Sequence, residues 1–521
     1  MSLLSTSRTS RTSRRRRRIA LIAAALAVVL PLSGCTTWFQ PPATASKPTG
    51  ETVKAGFEEF YGQTLAWTSC GEKLECAKAS APLNWDDPSG ETIELALARQ
   101  SATSGTAIGS LLVNPGGPGG SGYDLVHDSV DFATSARLQA KYDVVGFDPR
   151  GVGRSTPVKC YEDPKELDTY IFSIVAGERG SDAWIAEAEA ASARFGEDCA
   201  KYTGALLGKV DTLSAARDLD MLRAALGDKK LNYLGYSYGT ELGGVYAELF
   251  PKKTGRLVFD GAVDPTASGF DVSRAQAKGF EGALRAFLTE CPSMKGCPFR
   301  GSADESMTIV RNLLDSLDAS PIANADGREL GANAMFTAII YPLYNKGNWP
   351  TLVDVFASVM GGDSAFAFTV ADAYYERDAD GTYGSNSLEA FTAINCLDYP
   401  IDNNVEAMRA QAVELEAAAP VFGHLMAWGG TSCADWPYPV TGTPGPIAAA
   451  GSADIIVVGT TNDPATPYIW AQNVAGQLEN GHLVTYTGEG HTAYNKSNDC
   501  ILNTVDDFLI DGTVPAADPQ C

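Results

Sequence analysis

Histidine is the scarcest chemical resource in this 521-residue chain: there are four, at positions 127, 424, 482 and 491, too scattered to suggest a metal site. None of the 11 cysteines forms a C-x-x-C pair, so zinc-ligand spacing is missing as well. Positive charge is also in short supply, with 40 Lys and Arg against 63 Asp and Glu, and seven of those Arg fall in the first 34 residues, where there is no acid. The rest of the chain therefore carries roughly −30, which removes the basic face that nucleic-acid binding requires. Such a surface keeps an exported protein soluble and is compatible with a cationic ligand such as a free peptide amine. Long apolar runs are confined to Ile19–Leu32, and no other stretch is a transmembrane candidate. What remains is an ordinary globular balance, 45% hydrophobic and 20% charged. At this length the choice lies between two or three domains and one large α/β domain carrying an insertion.

The N-terminus has the grammar of an export signal. Arg14–Arg18 form a basic region, Ile19–Leu32 an apolar one, and Leu32-Ser33-Gly34-Cys35 follows directly. Small residues before a Cys at that point have the pattern of a bacterial lipobox, in which Cys35 is lipidated and becomes the first mature residue. Residues 1–34 are thus expected to be a lipoprotein signal peptide and residues 35–50, rich in Pro, Thr, Ser and Ala, a flexible tether. The expected location is the outer face of the cytoplasmic membrane, held there only by lipid on Cys35, where disulfides persist. Ten Cys then remain, and the simplest pairing without nesting is Cys70/Cys76, Cys160/Cys199, Cys291/Cys297, Cys396/Cys433 and Cys500/Cys521, although spacing alone leaves other connectivities open.

From about Thr92 short apolar runs alternate with helical stretches: Ile93–Ala98, Ser110–Val113, Tyr142–Phe147, Leu231–Leu234, Leu257–Asp260, Asp454–Val458 and Leu483–Tyr486. Runs bounded by Gly and Pro and separated by helices predict a mostly parallel sheet buried on both faces. Between about residues 266 and 445 the rhythm changes to helical periodicity, as in Ala275–Leu288, Glu305–Leu317, Thr351–Val359 and Val405–Leu415. This interval is expected to be a helical cap over the C-terminal edge of the sheet, flanked by core segments 51–265 and 446–521.

The chemical signal sits at Leu231–Gly239, an apolar run followed by Gly235-Tyr236-Ser237-Tyr238-Gly239 and then the helix-compatible Thr240–Phe250. Strand, G-x-S-x-G and helix together are the setting of a nucleophile elbow. A serine hydroxyl needs a base and the base needs an orienting acid, and both follow in the required order. Asp463 lies just after the run Asp454–Val458, and His491 just after Leu483–Tyr486, with room for one helix at about Pro467–Gln477 between them. His482, in Asn480-Gly481-His482, reads as a turn residue. Upstream, Ser110–Asn114 runs into the Gly-rich stretch Pro115–Gly122, placing the backbone N–H of Gly117 beside that of Tyr238 as the expected oxyanion pair. A phosphate loop is the rival reading, but no G-K-[ST] follows.

These segments resemble the exported α/β-hydrolase serine peptidases of actinobacteria known as tripeptidyl aminopeptidases, relatives of the proline iminopeptidases. The resemblance rests on Asn114–Gly122, Tyr142–Ser155, Gly235–Thr240, Phe259–Pro265, Ala393–Asp398, Asp463–Pro467 and Gly490–Thr492 with its flanking Cys pair, and the lipobox points to the lipoprotein branch. It implies an α/β-hydrolase fold, a mostly parallel central sheet with a large helical cap, and cleavage of peptides from a free N-terminus, with acidic groups holding the ammonium. Asp398, within a matched motif, and Glu241, four residues after Ser237, are the candidates for that amine contact; a cap salt bridge or helix cap is the plain alternative for Asp398, and Glu241 could cap the first turn or face away. The expected chemistry needs no metal or organic cofactor. An esterase or lipase would use the same triad, and a solute-binding or adhesive lipoprotein would share the lipobox and tether but need no triad.

Overall fold

The computed structural model describes residues 44–521; the signal peptide, Cys35 and the tether as far as residue 43 lie outside the described residues. The strands are β1 (Thr44–Ala45), β2 (Ala66–Gly71), β3 (Leu74–Pro82), β4 (Thr92–Gln100), β5 (Ser110–Asn114), β6 (Asp143–Phe147), β7 (Leu231–Tyr236), β8 (Thr254–Asp260), β9 (Ile322–Ala323), β10 (Glu329–Leu330), β11 (Ile455–Asn462) and β12 (Gly481–Glu489). Ten of them form one sheet in the order β1-β2-β3-β4-β6-β5-β7-β8-β11-β12, and β9 and β10 pair as a small hairpin among the cap helices. From β6 to β12 the pairing is parallel, whereas β1 to β4 and the β4–β6 junction are antiparallel.

The sheet follows from its side chains. Successive residues alternate faces, so Leu112, Val145, Tyr233, Phe259 and Val457 enter one core while Leu111, Val144, Leu234, Val258 and Ile456 enter the other. Both layers are covered by helices, which is why these strands read as continuous apolar runs rather than alternating ones. Each expected run is a strand, and the helices expected at Ala275–Leu288, Glu305–Leu317, Thr351–Val359 and Val405–Leu415 lie within Gly269–Glu290, Ala303–Ala319, Trp349–Met360 and Val405–Ala418. The cap has its own core, built around Phe287, Met335, Ile339, Trp349 and Phe356.

Three expectations need correction. The tether does not extend to residue 50: β1 pairs with β2, Thr49 donates to the Ala224 carbonyl at 2.9 Å, and Glu51 meets buried Arg223 at 2.9 Å. Composition suggested a linker, but backbone pairing and one ion pair hold it to the body. Residues 51–265 are not all core, because the excursion through helices Pro164–Phe172 and Asp182–Thr203 packs into the cap, with Phe172 in the cap core and Trp184 and Ile185 against Met408. His482 lies inside β12 rather than in a turn, its Nε2 2.8 Å from Asp454. The five disulfides are those of the simplest pairing: Cys70–Cys76, Cys160–Cys199, Cys291–Cys297, Cys396–Cys433 and Cys500–Cys521.

Candidate active site

Ser237 sits between β7 and the helix Tyr238–Leu249 with φ 55° and ψ −126°, a conformation that costs a non-glycine residue free energy and is retained only where its surroundings dictate it. Those surroundings are visible. The Ser237 N–H donates to the Asp260 carbonyl at 2.9 Å, and its own carbonyl accepts from the Thr240 N–H and hydroxyl at 2.8 and 2.6 Å. The turn also needs a small neighbour: a Cβ on Gly239 would lie 2.8 Å from both the carbonyl and the side-chain oxygen of Asn114. The elbow is therefore wedged against the end of β5.

The candidate base and acid come from adjacent strand ends. Asp463 follows β11 and His491 follows β12, and these two strands pair in parallel. Nδ1 of His491 stands 2.9 and 3.0 Å from the two carboxylate oxygens of Asp463. Asp463 is buried and accepts further bonds from the N–H groups of Ala465, Thr466 and Thr492 at 2.9, 2.8 and 3.2 Å. The Thr466 hydroxyl adds a fourth donor at 3.0 Å and lies 3.1 Å from Nδ1 of His491. With Nδ1 engaged, Nε2 is the nitrogen left for a serine proton. The cap contributes too: the carbonyl of Tyr344 accepts the His491 N–H at 2.8 Å, and its ring meets the imidazole edge-on at 5.4 Å.

The Gly-rich loop after β5 lies against the elbow. A Cβ on Gly116, whose φ is 95°, would stand 2.5 Å from the Tyr236 carbonyl oxygen, 2.9 Å from Ser237 Cβ and 3.0 Å from the Tyr238 nitrogen. Only a hydrogen fits there, so Gly116 packs directly against the elbow and Gly117 is the next residue of the loop. Tyr238 opens its helix, so its N–H has no intrahelical acceptor, and among the described residues the Gly117 N–H has none either.

Glu241, in the first turn of the elbow helix, and Asp398 are both buried but are tied differently. Asp398, at the end of the cap helix Ser387–Asp398, accepts from the Thr212 N–H at 2.9 Å and hydroxyl at 2.6 Å, and that hydroxyl also meets the Tyr238 phenol. Burial raises its carboxyl well above the usual range, and the neighbouring Glu241 raises it further. Glu241 accepts from the Tyr399 hydroxyl, and burial pushes its carboxyl to about 7 against that opposing bond. Two residues that the sequence reading passed over also reach the site: Thr466, visible only as part of a matched segment, and Tyr344, for which the sequence carries no signal.

A family model described as alpha/beta hydrolase fold matches residues 109–353, and one described as TAP-like protein matches residues 419–521. Serine protease Hip1 of Mycobacterium tuberculosis is 35% identical over 526 residues, covering 96% of both chains. Carboxylesterase B of the same organism is 36% identical over 516 residues, covering 96% of this chain and 98% of its own. Tripeptidyl aminopeptidase of Streptomyces lividans is 29% identical over 477 residues, covering 88% and 86%.

Proposed function

Belonging to the TAP-like family of α/β-hydrolases, the chain is a serine hydrolase, and we propose that it removes short peptides from free N-termini through Ser237, His491 and Asp463. The observation that carries the reading is the convergence of a serine in a strained elbow, an Asp463–His491 pair on adjacent strand ends, and, among the described residues, two uncommitted N–H groups, those of Tyr238 in the elbow and of Gly117 in the loop packed against it. His491 takes the Ser237 proton through Nε2 as Oγ attacks the scissile carbonyl. Asp463 fixes the tautomer and stabilises the imidazolium, and the paired N–H groups receive the oxyanion. His491 then gives the proton to the departing amine, and water hydrolyses the acyl-enzyme by the same route in reverse.

Peptidase names among the relatives support peptide substrates for this chain, and the buried acids support an amine contact. Asp398 is committed to Thr212. Glu241 is poised near neutrality, so a bound ammonium would draw off its proton and gain a counter-ion. Ester hydrolysis is the second reading, favoured by the likeness to Carboxylesterase B at 36% identity. The basic and apolar N-terminus ending at Cys35, with five disulfides, supports an exported lipoprotein on the outer face of the cytoplasmic membrane. The test is hydrolysis by the soluble form beginning after Cys35 of chromogenic peptides of one to four residues, free and acetylated, beside a short acyl ester. Cleavage confined to free-amine peptides, abolished in Ser237→Ala with unfolding unchanged, is the expected result; preference for blocked peptides or the ester overturns the aminopeptidase reading, and full activity of Ser237→Ala overturns the nucleophile.

A further inference from the structure

The mechanism above makes no use of Asp260, yet this residue touches both halves of the catalytic apparatus. It ends β8, between the strand that carries the nucleophile and the strand that carries the acid, and is fully buried. Its carbonyl accepts the Ser237 N–H at 2.9 Å. Its carboxylate accepts the Ala493 N–H with both oxygens at 3.0 Å and the Tyr494 N–H at 2.8 Å, the second and third residues after His491. One residue thus holds the nucleophile through its main chain and the base loop through its side chain. The next residue reinforces the placement: a Cβ on Gly261 would lie 3.1 Å from Cε1 of His491, so the imidazole sits directly over this strand end.

We propose that Asp260 is a positioning residue that sets the spacing between Ser237 and His491, and that its negative charge supports the imidazolium formed when His491 takes the proton. The inference rests on the serine-hydrolase reading of the site. Asp463 cannot do this work alone. It grips the ring through Nδ1 and the chain at Thr492, but none of its bonds reaches Ser237. The titratable groups about Asp260 are His491 and Lys496 from the loop after β12, and Tyr236 from the end of β7, with Asp463 sharing the field of Lys496. Burial pushes the Asp260 carboxyl up to about 6, opposed by Lys496, by the two N–H donors and by His491, so it is charged in neutral solution and becomes neutral in mild acid. A carboxylate accepting two main-chain donors cannot be replaced by an amide without turning an N–H group toward an N–H group.

The test is Asp260→Asn, compared with wild type and with Ser237→Ala, using the rate of covalent labelling by a fluorophosphonate probe, which reads serine activation whatever acyl group the enzyme prefers. Expected are a labelling rate and kcat lower by about 10- to 100-fold, as small misplacements of reacting groups produce, with KM within about twofold. Loss of the negative charge also disfavours imidazolium, so the acid limb of labelling against pH should move to lower pH, which a purely structural role would not cause. Equal rates and an unmoved limb overturn the proposal while leaving the triad intact. A wild-type enzyme that does not label overturns the serine-hydrolase reading instead. If Asp260→Asn does not fold, amide exchange in wild type decides: protection at Ala493 and Tyr494, measured against the intrinsic exchange rate at each pH, that is high at pH 7.5 and falls toward pH 5 supports the carboxylate anchor, and low protection at both pH values overturns it.

Discussion

Replacing Glu241 by Gln should remove a stability loss that the wild type suffers as pH rises. The carboxyl ordinarily titrates near 4.5, and burial raises it to about 7 in the fold. A group whose folded value is raised binds its proton more tightly in the native state, so the native state is favoured below pH 4.5, and that advantage is lost between 4.5 and 7 as the unfolded chain ionises first. The difference of about 2.5 units at about 1.36 kcal/mol each sets a ceiling near 3 kcal/mol. Gln keeps an acceptor for the Tyr399 hydroxyl and has no proton to lose, so the perturbation is confined to charge. Removing the Glu241 charge also relieves Asp398, whose carboxyl it raises, and this moves stability in the same direction. Urea unfolding of both proteins at pH 5 and pH 8 measures the effect: relative to wild type, the variant should gain about 2 to 3 kcal/mol on going from pH 5 to pH 8. Parallel stability profiles would refute the argument, because they would mean that Glu241 ionises in the fold as readily as in the unfolded chain. The same variant tests the amine contact, since loss of a counter-ion should raise KM for free-amine peptides and leave acetylated ones unchanged.

Two further changes probe other links. Gly116→Ala inserts a methyl 2.5 Å from the Tyr236 carbonyl oxygen at a residue with φ 95°, so the loop must withdraw from the elbow. Loss of one oxyanion donor predicts kcat lower by about 100-fold or more with an intact fold, read by steady-state kinetics beside circular dichroism. Asp218→Ala leaves Arg150 buried and unpaired, where now two bonds of 2.7 Å hold it at zero exposure. The expected cost is about 3–5 kcal/mol of unfolding free energy, and a loss below 1 kcal/mol in urea titration would show that water reaches the guanidinium.

The sheet and the elbow at Ser237 were legible because each is encoded locally. A strand buried on both faces needs a continuous apolar run, and a nucleophile turn needs its flanking glycines. What escaped depended on distant partners. Leu74–Pro82 reads Leu-Glu-Cys-Ala-Lys-Ala-Ser-Ala-Pro, weak as a strand by itself, and it forms because all nine residues pair with β4. The helix Asp182–Thr203 looks like an ordinary crossover until Met408, more than two hundred residues on, meets Trp184 and Ile185. Asp398 and Glu241 could be flagged as acids near the nucleophile, but a sequence does not reveal that one is tied twice to Thr212 while the other accepts a single bond from Tyr399. Asp260 is visible only as the end of a run and as part of the matched segment Phe259–Pro265, since its two roles are with main-chain groups at Ser237, Ala493 and Tyr494, which any residue types could supply.

The double origin of the cap bears on how it can move. One part rises from the sheet after β6 through a neck closed by Cys160–Cys199, and the other after β8. Arg377 clamps Asp168 across the two parts with bonds of 2.7 and 2.8 Å, and Arg179 grips Asp318 with bonds of 3.1 and 3.0 Å. A cover hung from one point can swing like a door. A cover standing on two footings and laced between them cannot lift at one part without parting the Arg377–Asp168 or the Arg179–Asp318 pair.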